Sequence, residues 1–208
     1  YYYICILMSI IKLQDLYFKP YINEVEIAKV VKHLAAQVQA DLPKDEVPIF
    51  VGILNGSFMF AADFIRAYNE NCEVSFVKLA SYENLNSTGK VKQLLGINEN
   101  LEGRTVVILE DIIDTGATLE EIYTIFRDKK LKQLKIATLF FKPDVFRKGL
   151  PIDYIGISIP DKFIVGYGLD YNGLGRNLAS VYQLTTQKMT NIVLFGPPGA
   201  GKGTQAEI

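Results

Sequence analysis

Uninterrupted apolar runs at Ile49–Leu54 and 106–109 and a largely apolar one at Gln133–Phe141 mark three strands buried on both faces, since a half-solvated strand would alternate. A fourth run, 73–80, does alternate and predicts a strand nearer an edge. Between the runs the period changes. Ile27, Val30, Val31, Leu34, Ala35 and Val38 recur at three- and four-residue steps, which predicts an amphipathic covering helix from Asn23, a good N-cap, to about Ala40. Helical spacing also follows the first run, over 58–68, and the second, over 119–129. Strands alternating with helices predict an α/β domain with a mostly parallel central sheet flanked by helices. From residue 152 the pattern shortens into brief strands, 153–160, 162–171 and 181–184, which predict a small β-rich subdomain.

Composition narrows the chemistry. The chain has 208 residues, enough for one well-packed α/β domain, and 22 Lys and Arg against 23 Asp and Glu. A formal charge of −1 gives no bulk attraction to nucleic acid, so a small, locally recognised ligand is expected. Cys5 and Cys72 lie far apart without metal-site spacing, which argues against zinc or a disulfide framework and for a reducing cytoplasm. The sole histidine, His33, sits within the first helical pattern and reads as a helix residue, not a catalyst. The apolar start, YYYICILMSII, is too short to span a membrane and lacks a basic leader; residues 1–7 are taken as an extension before a domain at 8–188.

Candidate chemistry concentrates at 106–119, VVILEDIIDTGATL. The strand should stop at Glu110 and Asp111. Asp114, Thr115, Gly116, Ala117 and Thr118 then form a small turn that presents backbone amides and a helix N-terminus to a phosphate. Acids beside a phosphate cradle are compatible if the ligand is a phosphorylated sugar, whose hydroxyls donate to the carboxylates, or if the acids hold a divalent metal. Leu54, Asn55, Gly56 and Ser57 make a second strand-to-helix turn and a second anion candidate. The long polar stretch 81–103 has the length of a functional loop. Lys142, at a strand end, reads by itself as a snorkelling surface lysine.

EDIIDTGATL resembles the phosphoribosyl-pyrophosphate signature of the type I phosphoribosyltransferases, in the form used by the hypoxanthine-guanine branch. ILNGSFMFAADFIRA is similar to the pyrophosphate loop of that family, SYENLNSTGKVKQL to its lid and IPDKFIVGYGLDYN to its base-recognition segment. The resemblance implies the type I fold with a β-rich hood, and Mg2+-dependent transfer of 5-phosphoribosyl from phosphoribosyl pyrophosphate to a purine base, hypoxanthine or guanine, in purine salvage. Asp114 would be the catalytic acid/base at the purine N7. Glu110, Asp111 and Thr115, Gly116, Ala117 and Thr118 would hold the phosphoribosyl group. Leu54, Asn55, Gly56 and Arg176 would take the pyrophosphate, and Ser81 and Tyr82 would close the lid. Lys142 would donate to the 6-oxo group, Phe163 would stack on the base, and the backbone of Ile164 would read its edge. Glu110, Asp111 and Asp170 are the implied metal ligands, and a homodimer or homotetramer the implied assembly.

Two departures qualify the match. Asn55 stands where many members have lysine, which removes a direct charge from the pyrophosphate loop. Gly173, Leu174 and Gly175 replace bulkier residues and predict a looser setting for Arg176. A xanthine-preferring transferase, and a regulator that senses the donor without catalysis, are the rival readings. The last segment, 189–208, reads MTNIVLFGPPGAGKGTQAEI; Gly196, Gly201 and Lys202 keep P-loop spacing, with Gly203 at the usual Ser/Thr position. It resembles the nucleoside monophosphate kinases, adenylate kinase above all, and is expected to be the cut-off opening of a second domain from a bifunctional fusion.

Overall fold

The computed structural model describes residues 10–79 and 100–186. The lid pair Ser81 and Tyr82, the P-loop residues Gly196, Gly201 and Lys202, and the extension 1–7 lie outside the described residues.

The central sheet is built from β3 (Ile49–Leu54), β4 (Glu73–Lys78), β5 (Thr105–Ile113), β6 (Gln133–Phe141) and β7 (Tyr154–Ser158), all parallel in the order β4-β3-β5-β6-β7. Its middle strands are buried nearly throughout, as their unbroken apolar runs require. Side chains alternate between faces. Phe50, Val107 and Leu109 pack under α1 (Glu24–Asp41) and α2 (Phe58–Ala67), while Val51, Val106 and Ile108 pack under α3 (Ala117–Phe126). The result is three layers. Asn23 caps α1 as expected: Oδ1 accepts from the Glu26 amide at 2.9 Å, and Glu24 and Glu26 lie in the positive first turn.

A separate antiparallel sheet forms the hood, in the order β1-β2-β9-β8, from β1 (Ile11–Leu13), β2 (Leu16–Ile22), β8 (Ile164–Val165) and β9 (Val181–Thr185). The first hairpin gives no clear alternation in the sequence, and its strands are ordered by pairing with a segment over 150 residues away. Ile22, Ile164, Leu169 and Val181 join the core under α1 and α2, so the hood is docked by apolar burial.

Several boundaries differ from the sequence reading. The run at 153–160, expected in the small subdomain, becomes β7 at the edge of the central sheet. The strand expected over 162–171 is only β8, since Gly166 and Gly168 at positive φ turn the chain, and α3 ends at Phe126, short of 129. β5 does not stop at its carboxylates but continues to Ile113, because β6 supplies a partner for each further step, Glu110 beside Thr138 and Ile112 beside Phe140. Helix α3 starts at Ala117, two residues early, since Gly116 at φ +90° turns the chain straight into it.

Candidate active site

A notch opens where the central strands end unequally. β3 pairs with β5 only as far as Gly52 beside Leu109, whereas β5 runs on to Ile113 against β6. The loop at 55–57 therefore lies against the bare flank of β5, so closely that a Cβ on Gly56 would collide with the Asp111 carboxylate. From the hood, Gly168 closes down in turn, and a Cβ there would collide with the Gly56 carbonyl. Loop, acid and hood meet with no room for a side chain. Gly56→Ala should therefore raise the donor KM roughly tenfold, the effect of about 1–3 kcal/mol of overpacking, with a smaller change in melting temperature. Steady-state kinetics beside a thermal melt would check it.

Ser57 turns away from this space. Its amide and hydroxyl both donate to the Ile53 carbonyl, at 3.2 and 2.7 Å, so of the four amides expected to bind an anion at 54–57 this one is engaged. The Leu54–Asn55 peptide is cis, and Asn55 is exposed.

Glu110 is 6 % exposed and its Oε2 has no hydrogen-bond partner among the described residues. Burial, then the neighbouring charge of Asp111, pushes its carboxyl well above the usual range. Burial also lifts Asp111 from an ordinary 3.8 to about 6, and Asp170 adds to the rise, against hydrogen bonds from the Ile112 amide and its own and the pull of Arg176. The folded value is the higher one, so Asp111 contributes stability that is complete below about pH 3.8 and lost as pH rises through about 6. Relative to Asp111→Asn, the ligand-free wild type should lose melting temperature across that window, as calorimetry at stepped pH would record.

Beyond the acids, residues 110–119 line a cavity of about 260 Å³. The first amides of α3 have no partner within the helix and border this space. Gly116 is needed here twice over, for its φ of +90° and because a Cβ would lie 2.7 Å from the Phe146 ring. An adjoining cavity of about 310 Å³ shares Asp111, Ile112 and Asp114 with the first. Into its wall come Lys142 from the end of β6, Phe163 and Ile164 from the hood, and Asp170 and Arg176 from the loop beyond. Gly56 also lines it, whereas Leu54 and Asn55 line neither cavity.

Lys142 is not the surface lysine its local sequence suggests. At 6 % exposure its Nζ donates to Asp114 Oδ2 at 2.7 Å and to Asp161 Oδ1 at 3.0 Å. Phe163 is 44 % exposed, with its ring tilted against Phe18 and nearly perpendicular to Tyr171. β8 is an edge strand paired only with β9, so one side of the Ile164 backbone is not taken up by a strand. Arg176 is held tightly rather than loosely. Its Nη1 donates to the Gly168 carbonyl and its Nη2 pairs with Asp170 Oδ1, each at 2.6 Å, while Asp170 Oδ2 accepts from the Gly173 amide. The glycines are the reason: Gly173 and Gly175, both at positive φ, let the loop fold back so that Asp170 and Arg176 meet.

A model of the phosphoribosyl transferase domain matches residues 21–172. The chain belongs to that family. Among curated relatives, the hypoxanthine-guanine phosphoribosyltransferase of Bacillus subtilis is 40 % identical over 161 residues, 77 % of this chain and 89 % of the relative. The Aquifex aeolicus protein of the same name is 36 % identical over 164 residues, 78 % and 92 % of the two chains. A crystal structure of the hypoxanthine-guanine phosphoribosyltransferase from Bacillus anthracis superposes with a TM-score of 0.75 at 39 % identity, covering 80 % of this chain and 98 % of that one. The family segment takes in the acidic pair, the phosphate turn, Lys142, Phe163 and Asp170; Arg176 lies just past it, and the P-loop segment well outside. Among the residues that escaped the sequence reading are Asp161, whose partner Lys142 is 19 positions away, Gly168, whose contact is with a glycine in another layer, and Lys162 and Leu169, which line the cavity of about 310 Å³. No local pattern marks them.

Proposed function

We propose that this phosphoribosyltransferase moves the 5-phosphoribosyl group of phosphoribosyl pyrophosphate to N9 of a 6-oxopurine, hypoxanthine or guanine, releasing pyrophosphate and giving IMP or GMP in cytoplasmic purine salvage. The observation that carries this reading is the single cavity lined by Asp114, Lys142, Phe163 and Asp170, which shares Asp111, Ile112 and Asp114 with the cavity at the turn 115–118. The names of the relatives support the same choice of base.

Breaking the anomeric bond builds positive charge on the ribose and negative charge on the departing pyrophosphate, as in glycoside hydrolysis. The amides at the start of α3 hold the 5′-phosphate, and the carboxyls of Glu110 and Asp111 face the ribose hydroxyls. Arg176, oriented by Asp170 and the Gly168 carbonyl, has guanidinium N–H groups left for the pyrophosphate. Phe163 stacks on the purine, Lys142 donates to its 6-oxo oxygen, and the Ile164 main chain reads the adjoining edge. Asp114 accepts or returns the proton at N7.

Mg2+ fits this donor set. Asp111 and Asp170 line one cavity with hard carboxylate oxygens, and Glu110 adds a buried oxygen with no hydrogen-bond partner among the described residues. That is the arrangement of an ion held by one or two carboxylates and completed by substrate phosphates. When bound, it would supply charge neutralisation to the pyrophosphate.

The test is incubation with donor, Mg2+ and hypoxanthine, guanine, xanthine or adenine in separate reactions, with nucleotide separated by chromatography. IMP and GMP are expected. Nucleotide from xanthine alone would reassign the base, and donor binding without nucleotide from any base would favour the donor-sensing reading. A homodimer or homotetramer is the proposed assembly. Residues 189–208, with their P-loop spacing, are read as the opening of a separate adenylate-kinase-like unit outside this reaction.

A further inference from the structure

Two carboxylates, not one, hold the lysine at the base pocket. The Lys142 ammonium is reached by Asp114 from beyond the end of β5 and by Asp161 from the connection between β7 and β8. An ammonium has three N–H donors and no acceptor. With two donors engaged by the acids, one is left for a ligand in the cavity that Lys142 lines. Burial by itself would favour the neutral amine, but the hydrogen bonds and charges of Asp114 and Asp161 outweigh it and keep the group cationic. Asp161 does not line the base cavity. It lines a neighbouring space of about 530 Å³ that shares Lys162 and Phe163 with the base cavity, and its side-chain hydrogen bond into that cavity's lining is the one at 3.0 Å from Lys142.

This arrangement resolves a conflict in the proposed chemistry. Asp114 cannot anchor Lys142 and also turn fully to the purine N7, unless something else holds the lysine while it does so. We propose that Asp161 is the positioning residue that holds Lys142 as a fixed, donor-only group at the purine 6-position, favouring a 6-oxo acceptor over a 6-amino donor and freeing Asp114 for N7. The inference rests on the 6-oxopurine reading above. A 6-amino group would set donor against donor, with a buried ammonium left unpaired.

A purely structural ion pair would behave differently. The Asp161 side chain is 58 % exposed, so solvent screens it and its pairing adds little to stability. Its consequence should lie in base recognition. Asp161→Asn keeps the shape and an acceptor oxygen but removes the charge. In the full chain, its hypoxanthine KM should rise about fivefold, a discounted share of a charge-assisted hydrogen bond. Its donor KM should stay close to wild type, its kcat should fall modestly as Asp114 is drawn back to the lysine, and its preference for hypoxanthine over adenine in direct competition should fall by a similar factor to the KM change. Asp161→Glu, which restores the charge, should recover most of the hypoxanthine KM. An unchanged hypoxanthine KM and unchanged preference in Asp161→Asn would overturn the role, as would equal losses in donor and base parameters. If wild type itself makes no nucleotide from hypoxanthine, the 6-oxopurine reading falls and the inference with it; an active wild type with an indifferent variant removes the Asp161 role alone.

Discussion

Replacing Asp114 with asparagine is expected to lower kcat by about two to four powers of ten, the usual contribution of a positioned proton-transfer group, while leaving donor affinity nearly unchanged. The substitution is clean on geometric grounds. An asparagine Oδ1 can still accept from the Lys142 ammonium, now 2.7 Å from Oδ2 of Asp114, so the lysine keeps a partner and the pocket its shape. What the amide cannot do is take a proton. Asp114 lines both cavities, the proposed base site and the proposed phosphate site, so the expected effect is on the step that joins them. Steady-state kinetics with donor and hypoxanthine varied in turn would separate the effects. Equal losses in kcat and donor affinity would assign the residue to donor binding instead.

Lys142→Ala should act on the other substrate. The purine KM is expected to rise about a hundredfold, near the upper end for one charge-assisted hydrogen bond, while inhibition by pyrophosphate stays nearly intact. The distinction follows from placement. Lys142 emerges where β6 ends, its amide tied to the Ile113 carbonyl, while pyrophosphate is assigned to the Gly56 loop and Arg176 across the cavity. Removal of the ammonium also leaves Asp114 and Asp161 facing one another without their shared cation. Asp114 thereby loses the partner that orients it, so kcat should fall as well, though by less than in Asp114→Asn. Selective loss of pyrophosphate affinity with normal purine KM would reassign the lysine.

Both outcomes depend on the unequal length of neighbouring strands. Had β3 followed β5 to its end, a ladder partner would occupy the space beside Asp111 where Gly56 now lies. The early end of β3 makes the notch, and three close approaches without intervening side chains keep it narrow: Gly56 on Asp111, Gly168 on Gly56, and Gly116 under Phe146. The catalytic reading thus rests on the backbone as much as on charged groups.

The sequence was informative wherever a signal is local. Burial on both faces shows as an unbroken apolar run in β3, a cap as Asn23 before a helical period, and a phosphate turn as Asp114 to Thr118 between a strand and a helix, because each depends on neighbours in the chain. These suffice for the α/β layers, the helix start at Asn23 and the strand-to-helix turn whose residues line a cavity. Tertiary structure decided the rest. Lys142 looks like a surface lysine until Asp114 and Asp161 arrive from separate connections to bury its charge, and Arg176 looks loosely set until Gly173 and Gly175 fold its loop onto Asp170. The hood, too, forms only when β2 meets β9, at the other end of the domain. The physical reason is the same in each case: periodicity records which face of an element is buried, but the partner that neutralises a charge or fills a gap is chosen by how the layers close in space.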